Sequence, residues 1–364
     1  MTGPRVLICE DSRVYAAGLR RALEHDGDIT VAGVCGTAEE ALAALPAVRP
    51  DILTMDIDLP GMDGLSAVEE IMGTHPIPVI VLSAYVGADA EKAAAALAAG
   101  AVDACAKSDL DLTDPAAVTP AALRQRIRTL ARVSVIRHPR ARLRTWQGSH
   151  GTAQRQASVI GICASTGGPQ VLYLLLSSLA PEFGVPLLVV QHMSAGFTDG
   201  LIRWLDRSVA IKVAAAENGM RLSAGAWVAP DGAHLRLGPN GQLSLDRRAP
   251  AGPHRPSADV LLSSIAASAG PAGVAVVLTG MGRDGAVGAG AVHRAGGLAI
   301  AQDETSSAVF GMPRAAIGQG ADLVLPPAAI AGRLTQLGHV PLPPLARART
   351  AEASPVADDR RGPP

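Results

Sequence analysis

The segment spanning residues 159–169 constrains this chain more than any other. Residues 159–164, Val-Ile-Gly-Ile-Cys-Ala, are an apolar run typical of a buried strand in an α/β sheet. Residues 165–169, Ser-Thr-Gly-Gly-Pro, break the run, and the periodic apolar pattern that follows predicts a helix. A strand, a tight glycine turn and a helix hold one side chain, here Ser165, at the carboxyl edge of a sheet. Ser165 or Thr166 could simply cap the helix, whereas a nucleophile would need a base and a carboxylate from elsewhere.

Composition excludes several classes of function. The 364 residues indicate two or three domains, and 32 Lys and Arg balance 33 Asp and Glu. Balanced charge and an aromatic content of 2% disfavour nucleic-acid binding, so we expect no nucleic-acid partner. The sequence shows neither a signal peptide nor an uncharged apolar run long enough to span a membrane, so we expect a cytoplasmic protein without membrane insertion. Four cysteines lie in or beside apolar runs without paired spacing, which indicates reduced core residues: Cys9, Cys35, Cys105 and Cys163.

The first third of the chain alternates apolar runs with helical patterns, which predicts a doubly wound parallel sheet of (βα)5 type. The ends of its predicted strands carry Glu10, Asp11, Asp56, Ser83 and Lys107. Carboxylates that converge on one edge repel one another unless a cation lies among them, and hard oxygen ligands open to water suit Mg²⁺. Lys107 offers a counter-charge and Ser83 a hydroxyl for a phosphoryl oxygen. Acidic residues also collect in exposed loops, but suitable residues at four of five strand ends favour a site.

Residues 5 to about 124 resemble a response-regulator receiver domain. The resemblance implies that Asp56 accepts a phosphoryl group from a histidine kinase. It also implies that Glu10, Asp11, Asp56 and the backbone carbonyl of Asp58 hold Mg²⁺. The chain has Ala104 in place of the family's usual aromatic residue and Ser108 in place of its usual proline. Phosphorylation needs neither residue, but Ala104 puts the aromatic route of signal transmission in doubt.

The pattern divides the chain into four parts. We predict a receiver domain over 1–124, an arginine-rich helix end and linker over 125–156, a second α/β domain over 157–340, and a disordered tail over 341–364. The basic run at 137–144 could bind nucleic acid or an acidic surface. A solvated tether is favoured, because no stacking aromatic residue lies among these arginines beyond Trp146.

The second domain has further strand ends that carry polar residues. Residues 186–193 predict a strand with His192 near its end, and residues 273–279 predict another that breaks into Gly-Met-Gly-Arg-Asp-Gly at 280–285. Residues 227–229, 233–237 and 242–245 predict a β-meander with Asn240-Gly241 as a hairpin turn. The domain is therefore expected to be a parallel α/β sheet with a β-hairpin or meander.

Residues 280–285 match the dinucleotide-binding pattern G-x-G-x-x-G, with Asp303 about twenty residues further on. Asp284 lies inside this loop, where its carboxylate would repel a pyrophosphate. The same helix N-terminus would favour Asp284 as the ionised partner of an imidazole. A non-catalytic signalling module that binds a nucleotide through this loop remains the alternative from a different class.

Three strand-end residues have the chemistry of a hydrolytic triad. His192 would take the proton of Ser165, and Asp284 would hold the imidazole in the required tautomer. The backbone N–H groups of Thr166 and Met281 are candidate donors to an oxyanion. The order Ser, His, Asp differs from that of α/β-hydrolases, so an ordinary lipase fold is not expected. Two other histidines, His234 and His254, are rival bases.

The motifs of this domain resemble the chemotaxis receptor methylesterase family (CheB). They run in order along the sequence at residues 164–169, 191–193, 229–235, 255–259, 279–285, 302–304 and 310–313. The resemblance implies Ser165 as nucleophile, His192 as general base and acid, and Asp284 as orienting carboxylate.

The resemblance also implies the reaction, the partners and the control of the enzyme. The reaction would be hydrolysis of glutamate γ-methyl esters on the cytoplasmic helices of chemoreceptors, with deamidation of glutamine in many members. The phosphodonor would be a chemotaxis-type histidine kinase, and the esterase site would need no cofactor. The unphosphorylated receiver would cover the cleft, and we expect a monomer. An amidase or peptidase that uses the same triad under receiver control is the alternative.

Overall fold

The computed structural model describes residues 3–84, 90–133, 135, 157–248 and 254–338. Most of the predicted linker, residues 136–156, and the whole predicted tail, 341–364, lie outside the described residues. Within the described ranges, no helix has the length and hydropathy required to cross a membrane. The three boundaries between the four predicted parts stay predictions.

The N-terminal domain is the predicted parallel sheet. Its strands run in the order β2-β1-β3-β4-β5, and all neighbours are parallel. The strands are β1 (Arg5–Cys9), β2 (Thr30–Cys35), β3 (Ile52–Asp56), β4 (Val79–Ser83) and β5 (Asp103–Ala106). The helices are α1 (Arg13–Glu24), α2 (Ala38–Val48), α3 (Gly64–Thr74), α4 (Ala90–Ala99) and α5 (Val118–Leu130). Helix α5 passes through residue 124, so the predicted boundary there falls inside a helix.

Local chemistry explains where the receiver helices begin. The side chains of Ser12, Thr37 and Asp63 accept a backbone N–H from the first turns of α1, α2 and α3, as N-cap residues do. The caps Ser12 and Asp63 follow the ends of β1 and β3, which carry Glu10, Asp11 and Asp56. Capping therefore fixes these loops at the carboxyl edge of the sheet, where β3 and β4 bury all their side chains.

The C-terminal domain is built on a seven-stranded sheet of order β14-β13-β12-β6-β7-β9-β8, in which every pairing is parallel. Its strands are β6 (Val159–Ala164), β7 (Leu187–Gln191), β8 (Val213–Ala215), β9 (Ala226–Val228), β12 (Gly273–Val277), β13 (Leu298–Gln302) and β14 (Leu323–Leu325). A separate antiparallel pair consists of β10 (His234–Leu237) and β11 (Leu243–Asp246). The helices are α6 (Gly168–Ser177), α7 (Thr198–Ser208), α8 (Ala258–Ala269), α9 (Ala286–Arg294), α10 (Met312–Gly318) and α11 (Pro327–Gly338).

The predicted hairpin is confirmed, but the three-stranded meander is wrong. Strands β10 and β11 pair across the turn that contains Asn240-Gly241. Strand β9, predicted as the first strand of the meander, instead pairs in parallel with β7 and β8 in the main sheet. All three residues of β9 are buried, which suits a parallel sheet covered on both faces and not a half-exposed meander.

The strand order brings the candidate residues to one edge. The chain runs from β6 outward to β7 on one side, and returns to place β12 on the other side of β6. The point between β6 and β12 is therefore a topological switch point, where the carboxyl ends of strands form a crevice. Ser165 follows β6, His192 follows β7 and Asp284 follows β12, so all three lie at this crevice.

The two domains pack closely through α4 of the receiver and α7 of the C-terminal domain. A Cβ added at Gly200 in α7 would lie 2.4 Å from the backbone of Ala90 in α4, so only glycine allows this approach. Phe197 is fully buried and packs within the receiver's hydrophobic cluster, and Ala94 packs within that of the C-terminal domain. The apolar cores of the domains are thus continuous at this contact.

Candidate functional site

Ser165 lies in the turn between β6 and α6. Its N–H donates to the carbonyl of Thr279 at 3.0 Å, which ties the turn to the end of β12. The N-cap of α6 is Gly167, at φ +74°, and no side chain caps the helix. The capping interpretation of Ser165 and Thr166 is therefore wrong, because the helix begins beyond both hydroxyls. Both side chains are half-buried and line a cavity.

His192 lies directly beside this turn. Ala164 and Gln191 are register partners at the ends of β6 and β7, and the His192 N–H donates to the Ala164 carbonyl at 2.9 Å. The buried Gln191 amide donates to the carbonyls of Ser165 and His192, at 2.9 and 2.8 Å. One side chain therefore fixes the backbone of both candidate residues.

Asp284 reaches across to His192. Its Oδ2 lies 3.0 Å from His192 Nε2, and the two side chains are 11% and 8% exposed. The same oxygen accepts the N–H of Ala258 at 2.8 Å. Its Oδ1 accepts three donors, from the Ser257 hydroxyl and the N–H groups of Asp259 and Gly285, at 2.9, 2.9 and 3.1 Å.

The donors to Asp284 come mainly from the N-terminus of α8, not from its own helix α9 as the sequence suggested. Burial would raise the pKa of Asp284, but the contact with His192 and the N–H groups of Asp259 and Ala258 outweigh burial. The pKa is therefore held well below its usual range, and the carboxylate is ionised at neutral pH. An ionised acceptor suits the imidazole N–H.

The orientation of the His192 ring determines which nitrogen can accept a proton. Both ring nitrogens are buried, and neither forms a hydrogen bond of full geometry among the described residues; Nε2 lies 3.0 Å from Asp284 Oδ2, which leaves Nδ1 as the nitrogen that is free to accept a proton. A ring with its proton on Nε2 has a lone pair on Nδ1, which suits a proton acceptor.

The predicted oxyanion donors flank the Ser165 turn. Thr166 and Met281 line the same cavity as Ser165, and Met281 is 40% exposed. Among the described residues, neither backbone N–H has a hydrogen-bond acceptor. Between them, Gly280 packs against the serine: a Cβ there would lie 2.7 Å from the Cβ of Ser165.

The rival histidines have different positions. His234 lies in β10, fully buried, away from the cavities that contain Ser165 or His192. His254 stacks on His192, with ring centroids 4.3 Å apart and an angle of 12° between the planes. Asp284 lies 3.0 Å from His192, which favours His192 as the base.

The cavity that contains Ser165 and His192 has a volume of about 370 Å³ and lies between the two domains. Its receiver wall includes Ala104 and Arg126, from β5 and α5. The carbonyl of Ala104 accepts the hydroxyl of Ser194 from the C-terminal domain at 3.1 Å, and Arg126 donates to the same hydroxyl at 3.3 Å. The receiver thus forms one side of the candidate active-site cavity.

The receiver residues predicted from strand ends also lie together. Glu10, Asp11 and Asp56 can each bring a carboxylate oxygen within 4.8 Å of the others. Lys107 Nζ lies 2.6 Å from Glu10 and 2.6 Å from Asp56. Ser83, buried at the end of β4, pairs in register with Ala106 next to this lysine.

Two interactions at this acidic cluster were not expected from the sequence. The N–H of Asp58 donates to Asp56 at 3.2 Å, and the Asp58 carboxylate pairs with Lys92 of α4 at 2.6 Å. The Asp58 side chain therefore points to α4. Binding of Mg²⁺ by the Asp58 backbone carbonyl stays a prediction.

The electrostatics of the acidic cluster fit a divalent cation. Burial raises the pKa of both Glu10 and Asp56, although Lys107 acts in the opposite direction. Burial would lower the pKa of Lys107, but its bonds to Asp56 and Glu10 raise it. Buried carboxylates that repel one another gain most from a hard cation, which is what Mg²⁺ would supply.

Several supporting residues were missed by sequence reasoning. Ser257 lies in the motif at 255–259, to which the sequence assigned no role, and its hydroxyl donates to Asp284. Gln191 lies in the motif at 191–193, also without an assigned role, and its amide binds the backbone of two turns. The sequence shows polar residues at the ends of predicted strands and helices, but it does not show which groups those residues bind.

Comparisons with known families agree with this two-part architecture. The model of the CheB methylesterase family matches residues 160–334, and that of the response regulator receiver domain matches residues 6–113. These ranges contain every candidate residue described above.

Individual relatives are similar over most of their length. Protein-glutamate methylesterase/protein-glutamine glutaminase 4 of Myxococcus xanthus is 39% identical over 86% of this chain and 91% of its own. Protein-glutamate methylesterase/protein-glutamine glutaminase 1 of Syntrophus aciditrophicus is 38% identical over 92% of this chain and 98% of its own. The crystal structure of the Thermotoga maritima CheB methylesterase catalytic domain is 38% identical, with a TM-score of 0.48, and covers 50% of this chain and 99% of that domain.

Proposed function

Because this chain belongs to the CheB methylesterase family, we propose that it hydrolyses γ-methyl esters of glutamate residues on chemoreceptors, under control of its receiver domain. The observation that carries the proposal is the convergence of Ser165, His192 and Asp284 at one sheet edge, with His192 Nε2 3.0 Å from Asp284. Two relatives that align with this chain over nearly their full length are named protein-glutamate methylesterase, which supports the choice of substrate.

In the proposed first step, Nδ1 of His192 accepts the hydroxyl proton of Ser165 while Oγ attacks the ester carbonyl carbon. The imidazolium that forms keeps its Nε2 proton directed at Asp284, whose ionised state stabilises the positive charge. The negative charge on the former carbonyl oxygen is bound by the N–H groups of Thr166 and Met281.

Collapse of the tetrahedral intermediate breaks the bond to the methoxy oxygen. His192 gives its Nδ1 proton to that oxygen, methanol leaves, and the glutamyl group remains esterified to Ser165. Water then enters, loses a proton to the same nitrogen and attacks the acyl carbon. The second tetrahedral intermediate collapses as the bond from the acyl carbon to Ser165 Oγ breaks and His192 returns the proton to Oγ, which leaves a receptor glutamate and the free serine.

The same site supports deamidation of receptor glutamine as a second reaction. An amide would form the same acyl intermediate, with ammonia as the leaving group in place of methanol. The relatives' names include protein-glutamine glutaminase, which supports this assignment. Since amides are poorer acyl donors than esters, we expect deamidation to be the slower reaction.

We propose that the receiver is phosphorylated on Asp56 by a histidine kinase. Glu10, Asp11, Asp56 and the carbonyl of Asp58 would hold Mg²⁺, which when bound neutralises charge on the phosphoryl oxygens. Lys107 is already within 2.6 Å of Asp56, and the Ser83 hydroxyl lies at the neighbouring strand end. These groups would contact the phosphoryl oxygens after transfer.

We further propose that the receiver restricts access to the esterase cavity until it is phosphorylated. The contacts of Ala104 and Arg126 with Ser194 support this, because they form one wall of the cavity that contains Ser165. Phosphorylation adds negative charge at the end of β3, two strands from β5, which carries Ala104, and this charge can change the stability of the interface.

The test is methanol release from methylated receptor by wild type, Ser165→Ala and Asp56→Asn, with and without acetyl phosphate. We expect Ser165→Ala to lower the rate by at least about 10³-fold. Asp56→Asn should keep the basal rate and lose the acceleration by acetyl phosphate. Undiminished methanol release by Ser165→Ala would contradict the proposed chemistry, and normal acceleration of Asp56→Asn would contradict the proposed control.

A further inference from the structure

We infer that His254 is a positioning residue for the proposed esterase reaction, because its ring stacks on His192 and fixes the plane in which that imidazole moves a proton. The inference rests on the proposed function. The ring centroids are 4.3 Å apart and the planes differ by 12°, so the two rings are stacked and nearly parallel.

The 3.0 Å contact with Asp284 is insufficient to orient His192, because it does not have the geometry of a full hydrogen bond. It holds the ring at Nε2 alone, and the terminal torsion of a histidine side chain has broad minima. Rotation about that torsion would move Nδ1 relative to Ser165 while the contact with Asp284 persisted. A ring packed flat on one face opposes this rotation, and displacement of a reacting atom by about 1 Å can cost about 10²-fold in rate.

One short segment supplies both constraints on His192. His254 gives the stacked ring, and Ser257 and the N–H groups of Ala258 and Asp259 bind the carboxylate of Asp284. This segment is anchored where the N–H of Gly232 donates to the carbonyl of Arg255 at 3.3 Å. The stacked ring and the donors to the carboxylate therefore belong to one segment, residues 254–259.

The charge of His254 matters because His192 becomes positive during the reaction. Burial lowers the pKa of His254, and the charge of His192 acts in the same direction, against a smaller opposite effect of Asp284. Arg255 and Asp231 are the other charged groups in the adjoining cavity of about 210 Å³. A neutral ring face favours a cation stacked on it, whereas a protonated ring would repel it.

Three replacements separate stacking from other roles. His254→Phe keeps a neutral planar ring, His254→Ala removes the ring, and His254→Arg keeps a planar group but adds a permanent charge. The experiment measures kcat and KM for methanol release by the phosphorylated full chain, from pH 5 to 9. Thermal unfolding and phosphorylation by acetyl phosphate report whether each variant is folded.

We expect His254→Phe to keep kcat within about threefold of wild type and His254→Ala to lose about 10- to 100-fold in kcat, with KM changed less than about twofold. His254→Arg should lose kcat and shift the acid limb of the pH profile to lower pH, because a fixed charge opposes protonation of His192. A folded Phe variant no more active than the Ala variant would overturn the inference, as would a fully active Ala variant. A wild-type chain that releases no methanol would instead contradict the proposed function itself.

Discussion

Replacement of Asp284 by asparagine tests the arrangement of the site most sharply, because it changes charge and donor pattern but not shape. Asparagine can place its amide oxygen at the Oδ1 position and still accept from Ser257, Asp259 and Gly285. Its NH₂ group must then occupy the Oδ2 position, where the donors Ala258 N–H and His192 Nε2–H point at it. The N–H groups of Ala258 and His192 would then both face the NH₂ group of the asparagine, which is a donor and cannot accept from either.

The imidazole can relieve this conflict by moving its proton from Nε2 to Nδ1, which removes the lone pair that would accept the proton of Ser165. In a serine protease, the equivalent replacement lowers kcat by about 10⁴-fold through the wrong tautomer. We therefore expect Asp284→Asn to lower kcat for methanol release by about 10³- to 10⁴-fold, which is about 4–5.5 kcal/mol of activation free energy. The unpaired N–H of Ala258 should lower the free energy of unfolding by about 1–3 kcal/mol.

The assay compares kcat of phosphorylated Asp284→Asn with that of Asp322→Asn, and urea unfolding reports stability. Asp322 pairs with His293 at 2.8 Å in a half-exposed position outside both cavities, so its replacement removes a similar contact without touching the site. The control should keep kcat within about twofold. A folded Asp284→Asn protein with kcat within tenfold of wild type would refute the proposed tautomer.

Three further replacements test separate parts of the account. Gly280→Ala should lower kcat by about 10-fold or more, because its Cβ would lie 2.7 Å from that of the proposed nucleophile and 2.4 Å from a methionine sulfur. Gly318→Ala, whose Cβ meets nothing within 4 Å, should instead keep activity and stability, and equal losses in both would contradict this. Arg126→Ala removes contacts to the C-terminal domain and should raise the rate of the unphosphorylated chain about 3- to 10-fold. The control Arg128→Ala removes ion pairs that lie within the receiver and should leave that rate unchanged. Asp11→Asn should weaken Mg²⁺ binding in calorimetry. Burial raises the pKa of two carboxyl groups in the cluster, so protons should compete with Mg²⁺ in wild type at a higher pH than they do at exposed carboxylates. An equal affinity for Mg²⁺ at pH 7.5 and pH 5.0 would contradict this.

The strand ends could be predicted from sequence because apolar runs determine where parallel strands begin and end. That rule placed Asp56, Ser165 and His192 at sheet edges, and the structure has strands ending at or directly before each. Parallel strands align their carboxyl ends, so residues distant in sequence meet without any specific long-range signal.

The remaining features depend on neighbours that sequence patterns do not identify. Strand β9 is only three residues long, too short for periodicity to distinguish a meander from a parallel sheet. The donors to Asp284 come from α8, which precedes it by about two dozen residues, because α8 packs against α9. The stacking of His254 on His192 likewise joins two loops whose approach depends on tertiary packing.

The most direct measurement of the central claim is covalent labelling by a fluorophosphonate, which reacts with a serine activated by a neighbouring base. Labelling and methanol release would be followed in the same sample, and the labelled residue identified by mass spectrometry. The account predicts one label per chain on Ser165, loss of methanol release in proportion to labelling, and no labelling of His192→Gln. Methanol release that continued after Ser165 was fully labelled would contradict it.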